Sequence, residues 1–310
     1  YVGVSNGPAV EGWNLQAVLP EYAKRCSSYI RERANKKNPF FLFFPMPSPH
    51  TPIAPDQRWK GKSGFGDYAD FLLETDWAVG EVLRALKETD QENNTLVIFT
   101  TDNGTSPKAD FEALYKQGVH LCENWRGHKA DIYEGGHRVP FIVRWPVQIL
   151  PATRSDKIIV QTDLLATFAE IINHRIPADA GEDSVSLWPL LSGKRKTDTP
   201  LHEAIISQSV TGNFAVRMEK WKLLFSCGSG GWSTPNEATA RKMSLPTTQL
   251  YDLDTDPKES KNVHTRHPKV VEQLTAVFRK FVENGRSTPG PKQVNHHGTH
   301  WETIPWAKDK

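Results

Sequence analysis

Three short runs of this chain are dominated by apolar residues, and they limit its architecture more than any other feature. They are PFFLFFPMP (39–47), TLVIFTT (95–101) and VPFIVRWP (139–146). Each is too short for a typical core helix and shows no polar alternation, the pattern of strands covered on both faces in a parallel sheet. Between the first two, Phe71, Leu72, Trp77, Val79, Val82, Leu83 and Leu86 recur at helical spacing, which predicts an amphipathic helix over 68–86. Strand, helix and strand in this order predict a βαβ unit with a right-handed crossover. The tetrapeptide TDNG (101–104) then falls at the carboxyl end of a strand, where open α/β sheets bind ligands.

Further helices are predicted over 20–37, with Tyr22, Cys26, Tyr29 and Ile30 on one side, and around Asp163–Ile172. Residues 173–200 are rich in proline, glycine and charge, and beyond them the texture changes. FAVRMEKWKLLF (214–225) and TTQLYDLDTDP (247–257) alternate or turn as antiparallel strands do. A helix over Pro268–Asn284 would bury Val271, Leu274, Val277, Phe278 and Phe281, followed by an irregular tail. The organisation expected is a large α/β domain over 1–200 and a small α+β domain over 201–310.

Composition narrows the function. Over 310 residues, 38 basic and 36 acidic groups give a net charge of +2, which offers nucleic acid or an anionic membrane no electrostatic footing. No apolar run approaches the ~18 residues of a membrane span, and the first ten residues show no signal-peptide pattern. Cys26, Cys122 and Cys227 are widely spaced, make no CxxC zinc pattern and allow at most one bridge. Tryptophans in Gly- and Pro-containing segments (Trp232, Trp301, Trp306) read first as core fillers and second as platforms for sugar rings.

Three segments carry candidate chemistry. Asp102 and Asn103 offer two hard oxygens to calcium or magnesium at a strand end, although D-N-G is equally good turn chemistry. In GHKADIYEGGHRVP (127–140), Lys129 beside a Gly-Gly turn can present a point charge and backbone N–H groups to an oxyanion. In PHTP (49–52), prolines on both sides restrict the backbone around His50.

Taken in series, the PHTP loop, FLLETDWAVGEVL, TLVIFTTDNG and GHKADIYEGGHRVPFIVRWP are similar in order and spacing to the catalytic domain of the formylglycine-dependent (type I) sulfatases. The segments after residue 213 resemble that family's small C-terminal domain. The resemblance implies an α/β fold of the alkaline-phosphatase type: a mixed sheet flanked by helices, incomplete at its N-terminus, with a smaller C-terminal antiparallel sheet plus helix. It implies that Asp102 and Asn103 are two ligands of a single Ca2+ or Mg2+. Lys129 would hold a sulfate oxygen and His50 would stand at the bridge oxygen of the ester. Arg126 and His128 are candidates for substrate contact, Glu134, Gly135 and Gly136 for shaping the loop, and His137 for a structural role.

The resemblance also defines a gap. The family's nucleophile is a formylglycine made from a C/S-x-P-x-R motif, and none is present: Cys26 is followed by SSYI, Cys122 by ENWR, Cys227 by GSGG, and Ser287-Thr288-Pro289 ends in Pro291. No Asp-Asp pair supplies the other metal ligands. The expectation is a chain that begins inside its domain, belongs to a periplasmic or secreted sulfatase acting on a sulfated carbohydrate or aryl sulfate, and turns over nothing alone. Two other readings are a phosphodiesterase or phosphonate hydrolase of the same superfamily and a non-catalytic carbohydrate-binding protein. The first would place histidine where Asn103 stands, and the second has no use for Lys129 and His50.

Overall fold

The computed structural model describes residues 10–194, 199–294 and 304. In chain order its main elements are α1 (Val18–Arg33), α2 (Asp67–Glu88), β1 (Val97–Thr100), α3 (Phe111–Lys116), the single turn α4 (Glu134–His137), β2 (Phe141–Arg144), α5 (Asp163–Ile171), α6 (Trp188–Leu191), β3 (Ile205–Gln208), β4 (Phe214–Met218), β5 (Trp221–Leu224), α7 (Glu237–Lys242), β6 (Gln249–Asp252) and α8 (Pro268–Asn284). They fall into two compact units. One comprises 1–99, 106–121 and 142–148; the other comprises 100–105, 122–141 and 149–310.

In the first unit α1 packs on α2. Leu19 and Ala23 meet Phe71 and Ala78, and Ile30 meets Ala85 and Leu86. The buried row of α1 is therefore Leu19, Ala23, Ser27 and Ile30, while Tyr22 and Tyr29 face water. This corrects the predicted face: small side chains at 23 and 78 let the helices approach, which the tyrosines would prevent. Arg31 Nη2 pairs with Glu88 Oε2 at 2.8 Å at the far end of the contact. On α2, Leu72 is exposed and the acids Asp70 and Glu74 are buried. Asp70 accepts from the Gly61 and Ser63 amides (2.7 and 2.8 Å) and the Ser63 hydroxyl. Glu74 Oε2 accepts from the Asp56 amide (2.8 Å) while its Oε1 is buried without a hydrogen bond among the described residues, and burial pushes this carboxyl up. Hydrogen bonds to the charged form make the burial of Asp70 tolerable, and together the two acids tie the 56–66 loop to the helix.

Strands β1 and β2 pair in a two-stranded sheet. The run 39–47 lies in neither sheet, contrary to the expectation of a buried strand. Its burial alternates: Phe40, Leu42, Phe44 and Met46 pack against the two helices, whereas Phe41 and Phe43 are 73% and 74% exposed. Apolar composition reports a preference for extended backbone but supplies no neighbouring strand, so one row of side chains stays uncovered.

The second unit is built on an antiparallel sheet of order β3-β4-β5-β6. Val216, Leu223, Phe225 and Leu250 bury against Leu274, Phe278 and Phe281 of α8, with Phe225 and Phe278 stacked at 5.5 Å between ring centres. The predicted α8 begins at Pro268 and stops where Gly285 takes a left-handed conformation (φ 61°) and caps the last turn. The opposite residues Ala215, Leu224 and Tyr251 pack against Ile132 and Tyr133. That second contact lays the 126–138 segment, with Lys129, on the sheet. All three cysteines are free thiols. Trp301 and Trp306 lie outside the described residues.

Candidate active site

Within the second unit the TDNG turn and the 126–138 loop touch through bare backbone. The Gly104 amide donates to Gly136 O (3.0 Å) and the Lys129 amide to Thr105 O (2.9 Å). A Cβ on Gly104 would stand 1.8 Å from the Gly135 carbonyl oxygen, one on Gly135 2.2 Å from Gly127 O, and one on Gly136 2.3 Å from Asp131 O. Glycine is thus required at these positions by approach rather than by dihedral angle. The Asp102-Asn103 pair and the Lys129 loop are fixed to each other by this contact.

A buried ion cluster holds the same loop from the other side. Glu134 Oε1 lies 2.9 Å from Lys222 Nζ and its Oε2 lies 2.9 Å from Arg217 Nη1; Lys222 Nζ is also 3.0 Å from Glu259 Oε1. The Glu134 amide donates to Glu259 Oε2 at 2.7 Å. Burial alone would raise the Glu134 carboxyl, but the charges of Lys222 and Arg217 outweigh it and hold the group at about 2. Burial also lowers His137, seconded by the Lys222 charge, from its ordinary 6.5 to about 4, so its imidazole is neutral in the fold.

Of the residues singled out from sequence, Arg126 is engaged internally. Its Nη1 donates to Glu259 O (2.7 Å) and Tyr251 Oη (3.3 Å), and its guanidinium lies 3.9 Å over the Tyr133 ring. His128 is also engaged, with Nε2 3.1 Å from Ser233 Oγ and Nδ1 3.0 Å from Lys129 O. Asn103 donates Nδ2 to Gly104 O (3.0 Å), which leaves Oδ1 as the atom it could offer a cation, and Asp102 is exposed beside it. These are hard oxygen donors of the kind that calcium and magnesium take, two of the six to eight that calcium needs. Among the described residues no three of His, Cys, Asp and Glu converge to complete such a shell. His50 belongs to the first unit. It is exposed, and its Nδ1 donates to Thr51 O (2.7 Å), which leaves Nε2 for a ligand. Sequence reasoning missed Asp131, Lys222, Ser233 and Glu259, each an ordinary polar residue until the fold brings it to this loop.

A family model described as Sulfatase matches residues 17–174. The chain belongs to the sulfatase family. A second model, described as N-sulphoglucosamine sulphohydrolase, C-terminal, matches residues 125–233. The chain is 33% identical over 291 residues to an N-acetylgalactosamine-6-O-sulfatase of Bacteroides thetaiotaomicron, covering 89% of this chain and 53% of that protein. It is 32% identical to human arylsulfatase A, covering 90% and 56%. A solved B. thetaiotaomicron structure, titled for the metabolism of multiple glycosaminoglycans, aligns at TM-score 0.75 and 31% identity, over 86% of this chain and 55% of that one. The PsFucS1 sulfatase from Pseudoalteromonas sp. shares the fold at TM-score 0.68 and 20% identity, covering 89% and 55%. The mixed α/β fold of the alkaline-phosphatase type is thereby established, and the chain spans about half the length of the relatives it matches.

Two outcomes follow for this unit. Gly104→Ala forces Cβ into a backbone oxygen and should cost about 4 kcal/mol or more in urea unfolding; a change within ~0.5 kcal/mol contradicts the close approach. For pH, the unfolded chain protonates His137 at its ordinary 6.5 and Glu134 at 4.5, both above their folded values. The unfolded state therefore binds more protons, and stability should fall as pH drops from about 6.5 towards 4, then further below 4.5. His137→Gln should flatten the upper part of that fall; a urea midpoint that rises on acidification contradicts the assignment.

Proposed function

We propose that this chain forms part of a sulfuric ester hydrolase acting on a sulfated carbohydrate, with Lys129 as its sulfate-holding cation. The single observation that carries this is the backbone lock between the Lys129 loop and the Asp102-Asn103 turn. It keeps the backbone that carries Lys129 close to the backbone that carries Asp102 and Asn103 within the second unit. A lysine whose backbone is held in this way would stabilise the negative charge of the sulfuryl group in transfer with little backbone reorganisation. Asp102 and Asn103 Oδ1 would hold the Ca2+ or Mg2+, which would supply Lewis-acid polarisation of a sulfate oxygen.

His50 is assigned to the leaving group on its motif resemblance. With Nδ1 donating to Thr51 O, Nε2 is the nitrogen that would give a proton or hydrogen bond to a departing alkoxide. Arg126 and His128 support the loop from inside. The nucleophile, formylglycine by the same resemblance, is encoded by no motif in the 310 residues, so we place it in a part of the protein outside them. The likeness to a protein named for N-acetylgalactosamine-6-O-sulfate favours a sugar sulfate over an aryl sulfate. Among the described residues no helix is long and apolar enough to cross a membrane, and we place the enzyme in the periplasm or outside the cell, as its bacterial relatives suggest.

The test is a desulfation assay of the full-length protein on defined sulfated monosaccharides. Lys129→Ala should lower kcat/KM by about 10²- to 10³-fold with the fold intact, while the 310-residue chain alone should release no sulfate. Full activity in the Lys129 variant, or turnover by the 310-residue chain, contradicts the proposal.

A further inference from the structure

A tryptophan in a glycine-rich segment serves as core filler or as platform, and Trp232 of GSGGWS (228–233) is no core filler: it is 53% exposed. Exposure alone decides little, because scattered apolar residues are normal on a protein surface. What sets Trp232 apart is how firmly its backbone is held, and to what. Its amide donates to Asp131 Oδ1 (2.8 Å), and the Ser233 amide donates to the same oxygen (3.0 Å). Before it, the Gly231 amide donates to Ser229 Oγ (3.1 Å), and that hydroxyl donates to Ser233 O (2.8 Å). The Ile132 amide reaches Ser229 O at 2.8 Å. A Cβ on Gly231 would stand 2.5 Å from both Ala130 O and Asp131 Oδ1, so the two backbones meet with no side chain between them. The glycine turn therefore has one position against residues 130–132, and Trp232 rides on it.

A second exposed apolar residue is tied to the same point. Val210 is 61% exposed, and its amide donates to Ala130 O (3.0 Å). Its own turn is closed by the Ser209 amide donating to Asn213 O (2.9 Å) and is fastened to the glycine turn by Thr211 Oγ1 donating to Gly230 O (2.7 Å). Ala130 follows Lys129 directly in the chain. Two uncovered apolar side chains are thus anchored beside the proposed sulfate-holding cation, all within the second unit. An ammonium next to an apolar shelf suits a ligand that carries an anionic group on a body clad in C–H bonds. A free inorganic anion has no use for the shelf, and a wholly apolar ligand has none for the lysine. A sugar ring bearing a sulfate ester uses both.

We infer that Trp232 is a specificity-determining residue, whose indole stacks on a C–H face of the sugar ring that carries the sulfate held by Lys129, with Val210 beside it. The inference deepens the function proposed above and rests on it. The rigidity of the turn gives the stack its value. An aromatic on a free loop loses part of its contact energy to ordering on binding, whereas this backbone is already fixed by its bonds to Asp131 and Ser229. Gly231 is conserved in purpose by the same contact: it lets the platform sit directly on the loop that presents the cation.

The experiment is saturation-transfer NMR of the full-length protein with a sulfated monosaccharide, a binding readout that needs no turnover, with inorganic sulfate as competitor. Ring C–H protons of one sugar face should receive saturation from the unaltered protein. Trp232→Ala should weaken sugar binding by about 3- to 10-fold and leave the affinity for inorganic sulfate unchanged, and Trp232→Phe should recover most of the loss. Sugar affinity that is unchanged in Trp232→Ala overturns the inference. So does a parallel loss of affinity for inorganic sulfate, because the indole would then only prop the Lys129 loop. The function proposed above is read separately. Sugar binding equal in Lys129→Ala and the unaltered protein removes that function, and the Trp232 comparison then still decides the stacking. Absence of sugar binding by the unaltered protein overturns both.

Discussion

An ammonium group shut away from water between two carboxylates organises the second unit. Lys222 comes from β5, Glu134 opens the single turn α4, and Glu259 follows β6, so three separate stretches of chain meet at one charge. Arg217 from β4 supplies the second cation, which balances the two acids. Desolvation is large for Lys222, Glu134 and Glu259, and each is acceptable only while the others are in place. The directions of titration express this. Burial works to raise Glu134, but its two cations take it down to about 2; Glu259, also buried and close to the Glu134 charge, is pushed up in spite of Lys222. Lys222 itself is penalised by burial and stays raised because both acids face it.

The loop that this cluster anchors carries Lys129, the proposed sulfate-holding cation. Its far side meets the TDNG turn with no side chain between the two backbones. A hydrophobic contact alone, such as Ile132 and Tyr133 on Leu224 and Tyr251, would place the loop on the sheet without fixing its height. Directional hydrogen bonds to Glu259 and Asp131 fix it. Site residues held on a rigid sheet rather than on a free loop are what charge stabilisation in a transition state requires.

Much of this was legible in the sequence, and the exceptions share a cause. α8 read correctly because proline, glycine and a 3.6-residue apolar row all agree on its ends and its face. The β4–β5 hairpin read correctly because its apolar pattern and the Glu219-Lys220 turn agree. The glycines of EGG were recognisable as loop-shaping residues, although the reason, backbone approach rather than dihedral freedom, needed coordinates. The 39–47 run misled because apolar composition does not name a partner strand. Asp70 and Glu74 would be placed on the wet face of α2 by any amphipathic pattern, yet both are buried and bonded to loop amides, Asp70 through both oxygens and Glu74 through one. Lys222 and Glu259 look like surface residues in KWKLL and DPKES, and only tertiary pairing across more than thirty positions turns them into a core.

The central claim is that the buried charge of Lys222 holds the Lys129 loop in place, and hydrogen exchange measures it directly in Lys222→Met. The account predicts that amides of Gly104, Lys129, Asp131 and Gly135 lose protection by an order of magnitude or more relative to the unaltered chain, while α1 and α2 in the first unit keep theirs. Unchanged protection across 126–136 in that variant would contradict it.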